Sequence, residues 1–216
     1  MAVIHRTTLA PSKLALLTPW LPAQPWYRGR GGMPELSRAG GFRLDDPDGA
    51  VGIEFFIAAD GSGDGAQVYL LPLTYRSAPG PQAADGLLGT AEHGVLGQRW
   101  MYDGTRDPVL VAALVAFFQG DVQAQAQSES DTPDLTVTSQ PVTAGRLDVL
   151  ASAVAADGPD GTDVRVTTAG GGDLIVRMHR LLQPGDGAAA AGAPRVAASW
   201  QLPSGGEARG VVASVR

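Results

Sequence analysis

VGIEFFIAADGSGDGAQVYLLPLTY, residues 51–75, sets two apolar runs around a hexapeptide made almost entirely of Gly and Asp. Val, Ile, Phe and Tyr suit a pleated, packed surface, and the glycines supply the positive φ that a tight reversal needs. The reading is a β-hairpin, with strands at 51–59 and 67–75. Pro72 has no N–H to give a ladder, which predicts a sheet edge or a bulge at that point.

Such a hairpin needs cover for its apolar surface, and the best helix in the chain is DPVLVAALVAFFQG, 107–120. Asp107 suits the N-cap and Pro108 the first helical position, and Leu110, Leu114, Phe117 and Phe118 recur at helical spacing. Gly120 or the Gln-rich DVQAQAQ would end it. A shorter helix is predicted from Ser12 over KLALL, stopping before Pro19. Beyond the polar stretch QSESDTPD, 127–134, the pattern turns to strands: LTVTSQPV, RLDVLASAV, DVRVTT, DLIVRMHRLL, RVAASWQL and GVVASV, joined mostly by Gly-rich loops. Short connections favour antiparallel pairing, because a parallel crossover needs a dozen or more residues. The expected class is α+β: mainly antiparallel sheet with one long and one short helix packed on a face. QSESDTPD is read as a loop or as the boundary between two subdomains, 1–126 and 135–216. One domain and two packed subdomains both remain compatible with the pattern.

The 216 residues are enough for a core without covalent staples, and cysteine is absent. Disulfides, thiolate nucleophiles and cysteine-ligated metals are thereby excluded, and a reducing cytoplasm fits. Sixteen Lys and Arg against 22 Asp and Glu give a net charge of -6 with no basic stripe, so nucleic acid is not expected as a partner. The longest apolar run, 109–118, is too short to span a bilayer, and no membrane partner is expected. The N-terminal MAVIHRTTLAPSKLALL shows no cleavage signal and reads as mature protein.

Chemical motifs are sparse. His5, His93 and His179 are isolated, with no metal-ligand spacing, and no metal site is expected. His93, beside Glu92 between glycines, is the least featureless, although neighbours on an extended segment face opposite ways. No serine has a nucleophile-elbow setting, and the acids gather in turns such as LDDPDG and DGPDG, where Asp bonds nearby amides. The calcium-loop likeness of DDPDG lacks the closing Glu. AGGG, 169–172, suits a hairpin turn better than a phosphate cradle without a Walker lysine. In YDGTRDP, 102–108, Asp103 is assigned to an Asp-Gly turn and Asp107 to the helix cap. Trp20, Trp26, Tyr27 and Trp100 offer either an aromatic face for a ligand or core packing, and packing is the better reading. No catalytic residue and no cofactor are assigned from the residues.

WLPAQPWYRG (20–29), LGQRWMYDGTRDPVLVAALVAF (96–117) and LIVRMHRLLQPG (174–185), in that order, resemble the N-terminal cap region of actinobacterial maltokinases and their glucosamine-kinase relatives. In that family the last segment carries the kinase N-lobe lysine; here the position holds Arg177, followed by Met178, His179 and Arg180. Arginine does not simply replace a tuned lysine, so Arg177 is a weak nucleotide-contact candidate. The resemblance also implies a kinase C-lobe with a catalytic Asp and a metal-binding carboxylate, which have no counterpart here. It therefore implies a non-catalytic binding or accessory protein linked to actinobacterial α-glucan or trehalose metabolism, and an enzyme is the weaker expectation. Its partner would be a carbohydrate-metabolism enzyme or a second copy, with Trp20, Trp26, Tyr27, Trp100 and His93 as contact candidates. Two other readings stand beside it. One is an enzyme of glucan metabolism, of branching type or a sugar phosphotransferase completed by a second chain. The other is a small-sugar or nucleotide sensor.

Overall fold

A computed structural model describes residues 8–29, 31–141, 149–169, 172–185 and 192–216. The readings of His5, of the N-terminal seven residues and of Gly170 and Gly171 in AGGG lie outside them. The decisive hairpin forms as β3 (Val51–Asp60) and β4 (Gln67–Arg76), paired without a register break from Val51↔Arg76 to Asp60↔Gln67. Around it run β1 (Leu9–Ala10), β2 (Leu36–Leu44), β5 (Leu87–His93), β6 (Gly97–Asp103) and β7 (Gln125–Ala126), in the order β1-β5-β6-β4-β3-β2-β7. A second sheet contains β8 (Thr138–Gln140), β9 (Val149–Gly158), β10 (Gly161–Thr168), β11 (Asp173–Met178), β12 (Arg195–Gln201) and β13 (Glu207–Val215), ordered β8-β12-β13-β11-β10-β9. Every strand pair in both sheets is antiparallel, as the short glycine-rich connections predict.

The central hairpin is buried on both faces. Ile53, Phe55, Ile57, Val68 and Leu70 point into a core shared with the second sheet, where they meet Val164, Val176, Val196 and Trp200. Helix α2 (Pro108–Gln119) adds Leu110, Leu114, Phe117 and Phe118 to that core. The alternate residues Phe56, Ala58, Tyr69, Leu71 and Leu73 face the other way, onto Leu17 and Leu21 of the N-terminal segment and Trp26. Period-2 alternation thus feeds two cores rather than one core and solvent.

Helix α2 begins on Asp107, whose side chain accepts from Val109 N, and ends at Gly120, held at φ 79. Helix α1 (Lys13–Trp20) is capped by Ser12 but runs through Pro19 and continues as a 3-10 turn, Leu21–Ala23. The expected stop at Pro19 does not occur: the carbonyl its ring leaves unpaired belongs to Ala15, on an exposed position where water can take it. Pro72 marks neither a bulge nor an edge. Leu70 N donates to Arg180 O, so by strand periodicity Pro72 would have donated toward the same side. There β4 changes neighbour, from residues 180–182 to β6, whose pairing begins at Leu73. The missing donor falls in the gap.

Residues 180–182 therefore stitch the two sheets together: Leu182 N donates to Val68 O, and Tyr69 bridges Leu181. QSESDTPD folds back as a loop, with Ala126 N donating to Thr132 O and Asp134 N to Ala124 O.

Candidate functional site

Three of the aromatic candidates come together in the layer outside the first sheet. The connector after α1 places Trp20 against Trp26 with ring centroids 5.7 Å apart, Trp26 against Tyr69 at 6.0 Å, and Tyr27 against Tyr69 at 5.6 Å. Trp26 is completely buried, while Trp20 and Tyr27 are half-buried. Gly29 lies against the Tyr27 ring so closely that a Cβ there would stand 2.2 Å from it. The Tyr27 hydroxyl donates to Asp60 at 2.7 Å, and burial together with that carboxylate pushes the phenol up. Tyr27, Arg28, Glu35, Asp60 and Gln67 line a shallow cleft of about 200 Å³ beside this patch.

Trp100 and His93 lie elsewhere. Trp100 sits on β6 opposite Thr90 and Arg76, one residue from Met101, which faces the α1 layer. His93 closes β5, and its Nδ1 accepts from Leu96 N at 3.1 Å in the turn to β6.

The strongest polar constellation is one that sequence reading divided among separate roles. Arg180, fully buried, donates to both oxygens of Asp103 at 2.8 and 2.6 Å, to Thr105 Oγ1 at 3.1 Å and, through Nε, to Thr162 Oγ1 at 2.8 Å. Its guanidinium lies 4.8 Å from the Trp26 ring centre, a cation–π contact. Asp103 does make the expected turn, accepting from Thr105 N, but that turn also presents it to Arg180. Asp107 likewise exceeds its cap role: it takes a two-pronged contact from Arg76 at 2.8 and 2.7 Å and the Thr74 hydroxyl at 2.9 Å. In the outer layer Glu54, also buried, accepts from Lys13 at 2.6 and 2.8 Å, from Tyr75 at 2.5 Å and from Gln127 at 2.6 Å. Burial alone would raise its carboxyl, but the Lys13 charge and the four hydrogen bonds outweigh it and hold the group below its usual range.

Arg177 stands on β11 and is gripped by Asp163 of β10 through bonds of 2.7 and 2.9 Å, with Arg216 on the same carboxylate. Its neighbour His179 is buried, with Nε2 2.9 Å from Ser214 Oγ. Burial, with Arg177 and Arg216 adding repulsion, depresses His179 to about 4. A folded pKa below the unfolded value near 6.5 means the neutral ring favours the fold. That stability is complete above about pH 6.5 and declines as pH falls to about 4, by at most about 3 kcal/mol. Melting temperatures from pH 7 to 4 should therefore fall less steeply for His179→Asn than for the parent; equal slopes would remove His179 as a cause.

Among the described residues no group of His, Asp and Glu is placed to hold a metal ion, and no helix is long and apolar enough to cross a membrane. Fold and contacts together define an antiparallel α+β protein, in which the N-terminal hairpin layer is joined to a β-rich half by a shared core, by the backbone bonds of residues 180–182 and by the buried Arg180–Asp103 pair. Residues 20–107 match the maltokinase N-terminal cap domain. The matched segment runs from Trp20 of the aromatic patch to Asp107, the cap of α2. No curated protein matches the chain.

Proposed function

We propose that this protein is a non-catalytic binding or accessory protein of actinobacterial α-glucan or trehalose metabolism, working in the cytoplasm. The observation that carries the reading is the cap-domain match over residues 20–107. Supporting it, the groups best suited to chemistry are engaged in ion pairs: Arg177 with Asp163, Arg180 with Asp103, Asp107 with Arg76 and Glu54 with Lys13. Catalytic groups need reactive atoms open to a substrate, whereas the carboxylates here are each held by a cation of the protein. The expected partner is a carbohydrate-metabolism enzyme or a second copy of the chain, contacted through the partly exposed Trp20, Tyr27 and Trp100.

Affinity capture from an actinobacterial extract with the tagged full chain should enrich an enzyme of α-glucan or trehalose metabolism. Capture that yields none, by a chain that also stays monomeric in light scattering, would remove the accessory reading. The sensor reading has one favourable observation, the cleft beside the aromatic patch. In the same preparation a quench of tryptophan fluorescence by maltose, trehalose or glucose would move the conclusion to it.

A further inference from the structure

Helix α2 is apolar all the way round: no residue from Pro108 to Phe118 carries a polar side chain. A helix of that composition is normally covered on every side. Leu110, Leu114, Phe117 and Phe118 are covered by the core, but Ala112 is exposed and Val109 and Ala116 are half-buried. With Val122 these three form the floor of a cavity of about 330 Å³, a volume at the small end of ligand-sized clefts. Its other wall is the turn after β2, which contributes Asp45, Asp46 and Asp48. Asp46 is buried and accepts from the amides of Asp48, Ala50 and Val51 at 3.1, 2.9 and 2.9 Å, which fixes the turn beside α2. Asp48 is exposed. Among the described residues no Lys or Arg lines the cavity, so an apolar floor meets a wall of a single sign of charge.

We propose that this groove docks an amphipathic helix of a partner protein whose apolar ridge is flanked by Lys or Arg. Residues 108, 112 and 116 lie in one i, i+4 row, and the small side chains at 112 and 116 leave a furrow into which the ridge of a second helix packs. The partner's apolar side chains cover Val109 and Val122, and its cations meet the acidic turn. Hydrophobic anchors supply the affinity and the charges select the partner. A second copy does not fit this chemistry. Of the two α-helices among the described residues, α1 has one cation, Lys13, already paired with Glu54, and α2 has none. Two copies meeting through this face about a twofold axis would also set acidic turn against acidic turn. The site rests on the accessory reading in needing a protein partner, and not in needing one from α-glucan metabolism.

The test is fluorescence anisotropy of a labelled leucine–lysine amphipathic helical peptide titrated with the full chain at about 0.15 M salt. Its counterpart carries glutamate in place of every lysine. The lysine peptide is expected to bind saturably, and the glutamate peptide at least about tenfold more weakly. Ala112→Lys places a charge on the apolar floor at an exposed position and keeps a good helix former there. It should retain the parent's melting temperature and weaken the lysine peptide about tenfold or more. Asp48→Lys should weaken it roughly fivefold, whereas Glu207→Lys, the same charge change at an exposed residue of β13, should stay within about twofold. No saturable binding of the lysine peptide, or equal binding of both peptides, would overturn the proposal. So would equal weakening by Asp48→Lys and Glu207→Lys, which marks general attraction to an acidic chain. A parent that dimerises in light scattering, and becomes monomeric with Ala112→Lys, would assign the groove to a second copy and overturn it as well. Affinity capture separates the groove from the pathway: a carbohydrate enzyme retained by the Ala112→Lys chain removes the groove and keeps the pathway, and peptide binding by a chain that captures no such enzyme does the reverse.

Discussion

Arg180→Met is expected to destabilise the protein by about 3–5 kcal/mol in urea unfolding, the largest loss from any single polar side chain. The reason is what stays behind. Asp103 is 3 % exposed, and without the guanidinium its carboxylate keeps, among the described residues, the Thr105 amide and hydroxyl alone. An uncompensated buried charge carries the desolvation penalty with little to offset it. The Trp26 ring loses its cation, and Thr162 loses the Nε donor. Asp103→Asn should cost a similar amount, because it leaves the arginine charged and buried. The double variant Arg180→Met with Asp103→Asn removes both charges, so its loss should be well below the sum of the two single losses. Additive losses would mean that the pair is not coupled. Because residues 180–182 also hold β4 to the second half of the chain, the loss should appear in one cooperative transition reported by both halves.

That arginine shows how legibility divides along the chain. Features set by neighbours were readable: the β3–β4 hairpin from its composition and turn, and α2 from Asp107, Pro108 and the left-handed Gly120. The short loops of the second half dictate its antiparallel pairing, and Ser12 ahead of KLALL marks the cap. Features set by distant partners were not. Arg180 and Asp103 are 77 positions apart, and nothing local distinguishes either from a surface charge or a turn residue. Glu54 sits in an apolar strand with no local mark of the Lys13 that meets it from 41 residues away. β2, with its bulge between Arg38 and Gly40, and the β5–β6 pair do not read as strands in the sequence. Their glycine content and mixed polarity blur the period-2 signal. The apolar residues of β3 and β4 are legible as buried, but the pattern predicts cover by one long and one short helix on a face, not by a second sheet. A strand buried on both faces carries no alternation from which a second covering layer can be read.

Of the site candidates, Trp20, Trp26 and Tyr27 converge because they are neighbours on one connector, whereas Trp100 and His93 belong to a different hairpin. Sequence proximity was a sound guide to the first group. The separation of the second group from it is set by tertiary pairing of β5 with β6. The aromatic stretch 20–27 begins the segment that matches the cap domain, and its most buried member touches the arginine that ties this segment to the rest of the chain.

Trp26→Ala is accordingly expected to cost about 3–5 kcal/mol, the range for emptying a buried aromatic position. Three observations place it there. The side chain is 0 % exposed, its ring meets those of Trp20 and Tyr69, and it covers the guanidinium of Arg180. Among the described residues its indole Nε1 has no hydrogen-bond partner, so the N–H contributes no bond there that a substitution would break. Trp26→Phe keeps an aromatic face toward Arg180 and should therefore lose much less than Trp26→Ala, with the remaining loss due to volume. Were Trp26 a ligand platform, the pattern would differ: alanine would be tolerated in unfolding, and the defect would appear in binding alone. Urea unfolding of both variants, alongside the sugar titration of the parent, separates the two roles. A near-native stability for Trp26→Ala would return this tryptophan to the list of binding residues and remove it from the structural link between the halves.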